Sequence, residues 1–261
     1  MRMYNKLIWE DDFDGSELDM TKWSFRTGNW QVAPDGTPVV PGWGNQELQY
    51  YTDGGKNIRL DGSCLNLIAR REDSPEQFGQ RYMYTSARID TRNKFSFTYG
   101  RIEFRASCPV GAGLWPAVWM LPEGEEYGPW AASGELDLLE AKGRLPDRIF
   151  GTIHYGGAYP LNTHQEYTAD LPVGAGIDSF HVYEVVWEPG SITWLVDGRA
   201  YAGTTSWKSK APGIKRPAPF DKPFYLLINL AVGGSFDEQA MGRVTADLPA
   251  EFRLDYIRIF Q

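Results

Sequence analysis

Three carboxylates stand in the run SGELDLLEAKG, residues 133–143, at Glu135, Asp137 and Glu140. Grouped carboxyls can do two kinds of work. Two of them about 5–5.5 Å apart cleave a glycosidic bond with retention, one as nucleophile and the other as acid/base. Hard cations also take carboxylate oxygens, so a calcium site is the competing use. The inert alternative is a solvated outer strand face. Against that face, the run carries leucines between its acids and has tryptophans near it at Trp115, Trp119 and Trp130.

On a strand, side chains alternate between faces, so Glu135 and Asp137 share one face and Glu140 falls on the other. A β-bulge at Leu138 or Leu139 absorbs one residue and swings Glu140 into line. The expectation is a row of Glu, Asp and Glu on one face, with leucines beneath in the core. Neighbouring carboxylates raise the cost of ionising all three, so one acid stays protonated near neutral pH. That is the form a leaving sugar oxygen requires.

The elements that must hold this row are short strands. SCLNLIAR, YTSARIDT, GRIEFRAS, PAVWML, GELDLLEA, FGTIHYGG, FHVYEVVWE, SITWLVDG, PFYLLINLAVGG and FRLDYIRIF recur between turn signals. VVWEPGSITWLVDGRA predicts a hairpin at Pro-Gly and a second turn at Asp197-Gly198. Such a chain builds an all-β sandwich or barrel. Glycine and proline are scattered, no repeat or composition shift marks a boundary, and residues 1–261 are expected to form a single domain.

Net charge is −8 with no long basic run, which argues against nucleic-acid binding. No apolar stretch suits a membrane helix; FYLLINLAV fits a strand better. MRMYNKLIWEDDFDG lacks the apolar centre of a signal peptide, so the chain is expected either to stay inside the cell or to begin at a mature domain. Cys64 and Cys108 permit one disulfide or two buried thiols. Three histidines without CxxC or HExxH spacing give no expectation of zinc.

GELDLLE resembles the bulged E-x-D-x-x-E signature of glycoside hydrolase family 16. WEDDFDG, GWGNQELQYYT, TSARIDTRNKFSFTYGRIEFRA, GLWPAVWMLP, GTIHYGG, VYEVVWEPGSITWLVDG, FYLLINLAVGG and RLDYIRIF are similar, in order, to laminarinase-type members. The resemblance implies a β-jelly-roll sandwich of two antiparallel sheets, with a substrate cleft on its concave face. It implies retaining endo-hydrolysis of β-1,3-glucan, with mixed β-1,3/1,4-glucans as a further substrate class. Glu135 would be the nucleophile, Glu140 the acid/base and Asp137 the assisting carboxylate. Trp115, Trp119, Trp130, His154, Asn45 and Arg88 would line the sugar subsites, and Trp43 would supply a platform. No cofactor is implied for catalysis, but a structural calcium ion is, held by the backbone carbonyls of Asp12 and Gly62 and the carboxylate of Asp255. The family also implies secretion, and a monomer is expected. One departure is Phe236 in AVGGSFDEQ, where laminarinases often carry Trp. The rival readings are a non-catalytic glucan-binding protein, a transglycosylase or another polysaccharide specificity on the same fold.

Overall fold

A computed structural model describes residues 4–261. Its strands, in chain order, are β1 (Leu7–Asp11), β2 (Ser24–Phe25), β3 (Trp30–Val32), β4 (Pro38–Pro41), β5 (Gln49–Thr52), β6 (Ile58–Leu60), β7 (Leu65–Arg71), β8 (Tyr84–Asp90) and β9 (Gly100–Ser107). They continue with β10 (Leu114–Pro122), β11 (Glu135–Ala141), β12 (Arg148–Tyr155), β13 (Thr163–Asp170), β14 (His181–Glu188), β15 (Ser191–Val196), β16 (Arg199–Thr204), β17 (Phe224–Val232) and β18 (Ala250–Phe260). Helical structure among the described residues is confined to single 3-10 turns at Gly42–Gly44 and Trp130–Ala132.

The strands form two layers. One runs β13-β12-β11-β10-β17-β8 and the other β7-β18-β9-β14-β15-β16. They join at one edge, where β7 pairs β8 through Arg70–Thr85 and Arg71–Tyr84. This is the expected all-β sandwich, with one difference: β5 lies parallel to β8, so the pairing is not antiparallel throughout. Both expected turns form. Glu188 pairs Ser191 across Pro189-Gly190, and Val196 pairs Arg199 across Asp197-Gly198. Asp197 and Gly198 both have positive φ (47° and 73°), the geometry of a two-residue turn that matches strand twist.

Strand patterning follows from this layering. Along β14, Tyr183, Val185 and Trp187 are buried, while Val182, Glu184 and Glu188 are partly exposed. On β17 every residue is buried. It lies centrally between β10 and β8, which explains a run that is apolar but for Asn229, in place of alternation. A single apolar cluster gathers side chains from both layers, including Trp23, Trp187, Trp194, Leu136 and Leu139. Each large side chain so buried contributes about 1.5–3 kcal/mol. Cys64 and Cys108 are two separate buried thiols.

Candidate active site

β11 lies between β10 and β12 and carries the three acids. Against β10, Ala117 pairs Glu140, Val118 pairs Leu139 and Trp119 pairs Asp137, so Leu138 is the extra residue. The register against β12 also slips between Asp137 and Glu140. This is the bulge expected from the sequence, and Leu136, Leu138 and Leu139 are buried beneath it.

A tryptophan from the opposite layer supports the distorted backbone. Trp194, fully buried on β15, donates its indole N–H to the Asp137 carbonyl at 2.9 Å. Room for that indole comes from Gly151, in the stretch of β12 facing the bulge. A Cβ there would lie 2.6 Å from the Trp194 ring.

Each glutamate is held by an indole. Trp130 donates to Glu135 Oε2 at 2.9 Å, and Trp115 donates to Glu140 Oε1 at 3.0 Å. Trp130 does so from a positive φ of 51°, a strained conformation for a bulky residue and one that clusters at functional sites. Thr152 donates to Glu140 Oε2 at 3.4 Å. His154 Nε2 stands 3.6 Å from Glu135 Oε1 and 3.5 Å from Asp137 Oδ2. The Asp137 Oδ2 atom is itself buried without a hydrogen-bond partner.

Burial dominates the electrostatics. Asp137 is pushed well above the usual carboxylate range by desolvation, reinforced by Glu135, Glu140 and Glu166. Glu140 is pushed up to about 8 by desolvation, with Glu135 and Glu166 adding to it and the Trp115 N–H opposing it. Burial also lowers the pKa of His154, against the pull of Glu135. A proton is therefore held among buried acids at neutral pH, on the same face as the partly exposed Glu135.

The flanking aromatic groups extend this face along the sheet. Trp119 donates to Asn229 Oδ1 at 2.7 Å. Arg88 lies between two indoles, its guanidinium 4.9 Å from the Trp119 ring and 4.4 Å from the Trp43 ring. It is not spent on a surface acid. Beneath it the buried Glu47 accepts from Gln49 (2.7 Å), Tyr51 (3.0 Å) and Asn45 (3.3 Å). On the other side of Trp115, Phe236 stacks on the indole at 5.0 Å between centroids. Phe236 carries no indole N–H, and its ring packs on Trp115 and edge-on to Phe150. The structure thus brings Glu135, Asp137, Glu140, Trp115, Trp130 and His154 into one cluster. Trp119, Arg88, Trp43 and Asn45 form a second group beside it.

Residues 41–249 match the model of the glycosyl hydrolases family 16. The chain belongs to that family. It is 44% identical, over 98% of its length, to the glucan endo-1,3-beta-glucosidase A1 of Niallia circulans, of which it spans 38%. It is 40% identical to the beta-glucanase of Rhodothermus marinus, covering 98% of this chain and 85% of the relative. Among solved structures, the endo-beta-1,3-glucanase of Pyrococcus furiosus superposes with a TM-score of 0.83 at 36% identity, covering 98% of this chain and 94% of that one.

The calcium position expected from the sequence involves Asp12, Gly62 and Asp255. β18 meets β7 up to Leu254, pairing Leu65, and meets β1 from Ile257, pairing Asp11. Asp255 thus lies within β18, Asp12 follows the end of β1, and Gly62 lies in the turn between β6 and β7. The Asp255 carboxylate accepts from Arg105 at 2.5 Å and Asp12 from Arg258 at 2.8 Å. The Asp255 carboxylate is thus engaged by Arg105, which a cation there would have to displace. Among the described residues, Glu135, Asp137 and His154 are the one set of three His, Cys, Asp or Glu side chains whose donor atoms lie within 4.8 Å of one another. Sequence reading did not pick out Trp194, Thr152, Glu47, Asn229, His164 or Glu166. They come from elsewhere in the chain and reach the site through strand pairing or, for Trp194, through packing across the two layers.

Proposed function

We propose that this family 16 chain is a retaining endo-β-1,3-glucanase. The observation that carries the reading is the pair of glutamates on one bulged strand, each fixed by an indole N–H, with one of them held protonated. Glu135 attacks the anomeric carbon of the sugar while Glu140 donates its proton to the departing glycosidic oxygen. The resulting glycosyl–Glu135 ester is hydrolysed when Glu140, now a carboxylate, takes a proton from the attacking water. Asp137 and His154, both beside Glu135, position it and keep a proton within the cluster. Trp115, Trp119, Trp43 and Trp130 offer ring faces to the apolar faces of glucose units, and Arg88 and Asn45 offer donors to hydroxyls. The relatives named for glucan endo-1,3-beta cleavage support the linkage, and the relative named beta-glucanase supports testing mixed-linkage glucan beside it.

A non-catalytic glucan binder would not need two glutamates flanking a bulge on one strand, so the presence of both favours an enzyme. The deciding measurement is product analysis on laminarin, lichenan and agarose, with NMR of the first-formed anomer. The expected result is laminari-oligosaccharides released as the β-anomer, with Glu135→Gln and Glu140→Gln inactive. Absence of cleavage on all three polymers, or full activity in Glu135→Gln, overturns it. A polymer of this size does not enter cells, so the proposal includes action outside the cell, by a single chain. It also includes the calcium ion at Asp12, Gly62 and Asp255 as a stabilising ligand. Calcium should raise Tm and a chelator should lower it, with kcat unchanged at 25 °C; a Tm indifferent to both removes the ion from the account.

A further inference from the structure

Beyond the cleft, a second aromatic surface is built around the 77–80 turn. Gln77 and Gln80 exchange backbone hydrogen bonds across Phe78-Gly79. Both central residues have positive φ, 51° at Phe78 and 77° at Gly79. Asn, Asp or Gly normally takes the first of these positions, because a Cβ is strained there. A phenylalanine that is also 48% exposed serves neither the turn nor the core.

Its neighbours continue the surface. Trp30 meets Phe78 edge-to-face at 5.6 Å, Trp30 Nε1 donates to the Tyr82 hydroxyl at 2.8 Å, and Tyr82 leans on Tyr50 at 6.3 Å. The group is tied to the cleft by short polar links. Gln77 Oε1 accepts from the Asn29 backbone at 2.7 Å, and Trp43 Nε1 donates to the Gly28 carbonyl at 3.1 Å. Trp30 is two residues from that carbonyl, at most about 7.6 Å along the chain. The aromatic line Trp119, Arg88, Trp43 thus leads directly toward Trp30 and Phe78.

We propose that Trp30, Phe78, Tyr82 and Tyr50 form a distal binding platform for the same neutral β-glucan chain, engaged by sugar units that extend past Trp43. This rests on the glucanase reading. Ring faces bearing phenol and amide groups suit uncharged sugars, and continuity with Trp43 selects the substrate chain as occupant. The platform serves long chains and leaves short oligosaccharides to the cleft alone.

The test uses the Glu135→Gln background, so that bound glucan is not cut. Affinity for laminarin polymer and for laminaritetraose is measured by affinity electrophoresis and calorimetry. Phe78→Asn removes the ring while keeping a residue that accepts the left-handed turn, so folding is preserved; Trp30→Ala is the second variant. In each, the ratio of polymer to tetraose affinity should fall about three- to tenfold, the scale of one lost aromatic contact. An unchanged ratio in both variants, or an equal loss for both ligands, overturns the platform. A parent that binds neither ligand overturns the glucanase reading instead.

Discussion

At the scale of the residue, the acid pair is tuned mostly by what surrounds it. Glu140 sits at about 8 because burial costs more than the Trp115 N–H returns. Removing that donor should therefore raise the pKa further. Trp115→Phe is expected to move the alkaline limb of kcat/KM to higher pH, and to raise KM through the lost hydroxyl donor and altered stacking. A pH–rate profile superimposable on wild type would detach Trp115 from Glu140. Asp137→Asn tests the middle carboxylate. It leaves nucleophile and acid in place but removes a group that shares the buried proton, so kcat should fall on the order of ten- to a thousandfold, equivalent to about 1.4–4 kcal/mol. At least one limb of the profile should shift, and the loss should stay smaller than for either glutamate. Wild-type kcat and profile in the Asn variant would exclude Asp137 from the reacting group. The acids, Trp115 and His154 were legible because they lie on motif-bearing strands, and Trp130 because it stands just before the acidic run. His164 and Glu166 were not, since THQEYTAD alternates without an apolar face. Their role arises only because His164 pairs His154 and Glu166 pairs Thr152.

At the scale of the element, the bulge was legible as a parity problem: three acids, one out of step. What holds the bulge was not, because the donor comes from β15 and its space from β12. Elements were readable where one face is buried. β13 was missed as an edge strand whose residues are exposed or half-buried along its length, and β5 gave no sign of pairing parallel to β8. The dependence of the bulge on Gly151 is testable. Gly151→Ala places a methyl 2.6 Å from the Trp194 ring, and overpacking of this kind costs about 1–3 kcal/mol. The ring must shift from the Asp137 carbonyl, and a displacement of about 1 Å at a catalytic strand can lower rate by about 100-fold. The expected outcome is a loss of kcat much larger than any change in KM for tetraose, with Tm lowered by several degrees. A variant with lowered Tm and unaltered kcat would make the contact structural alone.

At the scale of the whole molecule, the active site opposes stability, and pH separates the two. Carboxylates such as Asp61, where burial is the largest single effect but the combined hydrogen bonds of Ser63, Asn66 and Cys64 outweigh it and hold the group down to about 2, and Asp170, lowered by Arg148, favour folding once ionised. Their contribution is present above the unfolded pKa near 4 and is lost as pH falls below it. Asp137 and Glu140 act with the opposite sign. Their folded pKa values lie above the unfolded ones, so the folded chain binds protons that the unfolded chain has released, and stability falls as pH rises from about 4.5 to about 8. Maximum stability should therefore lie on the acid side of neutrality. Glu140→Gln removes one of these titrations while keeping an oxygen for the Trp115 N–H. Near pH 4.5 it replaces a protonated acid by an amide and should change little. At pH 8 it relieves a charge buried without a counter-ion, and a gain of about 1 kcal/mol raises Tm by about 2–4 °C in a chain of this size. Scanning calorimetry of wild type and Glu140→Gln at pH 4.5 and 8 measures the difference. The Tm gap between the two pH values should narrow in the variant, as hydrolysis disappears, which is the trade expected when a strained catalytic group is neutralised. Parallel Tm–pH curves would mean that Glu140 titrates alike in both states, and the protonated-acid mechanism would lose its physical basis.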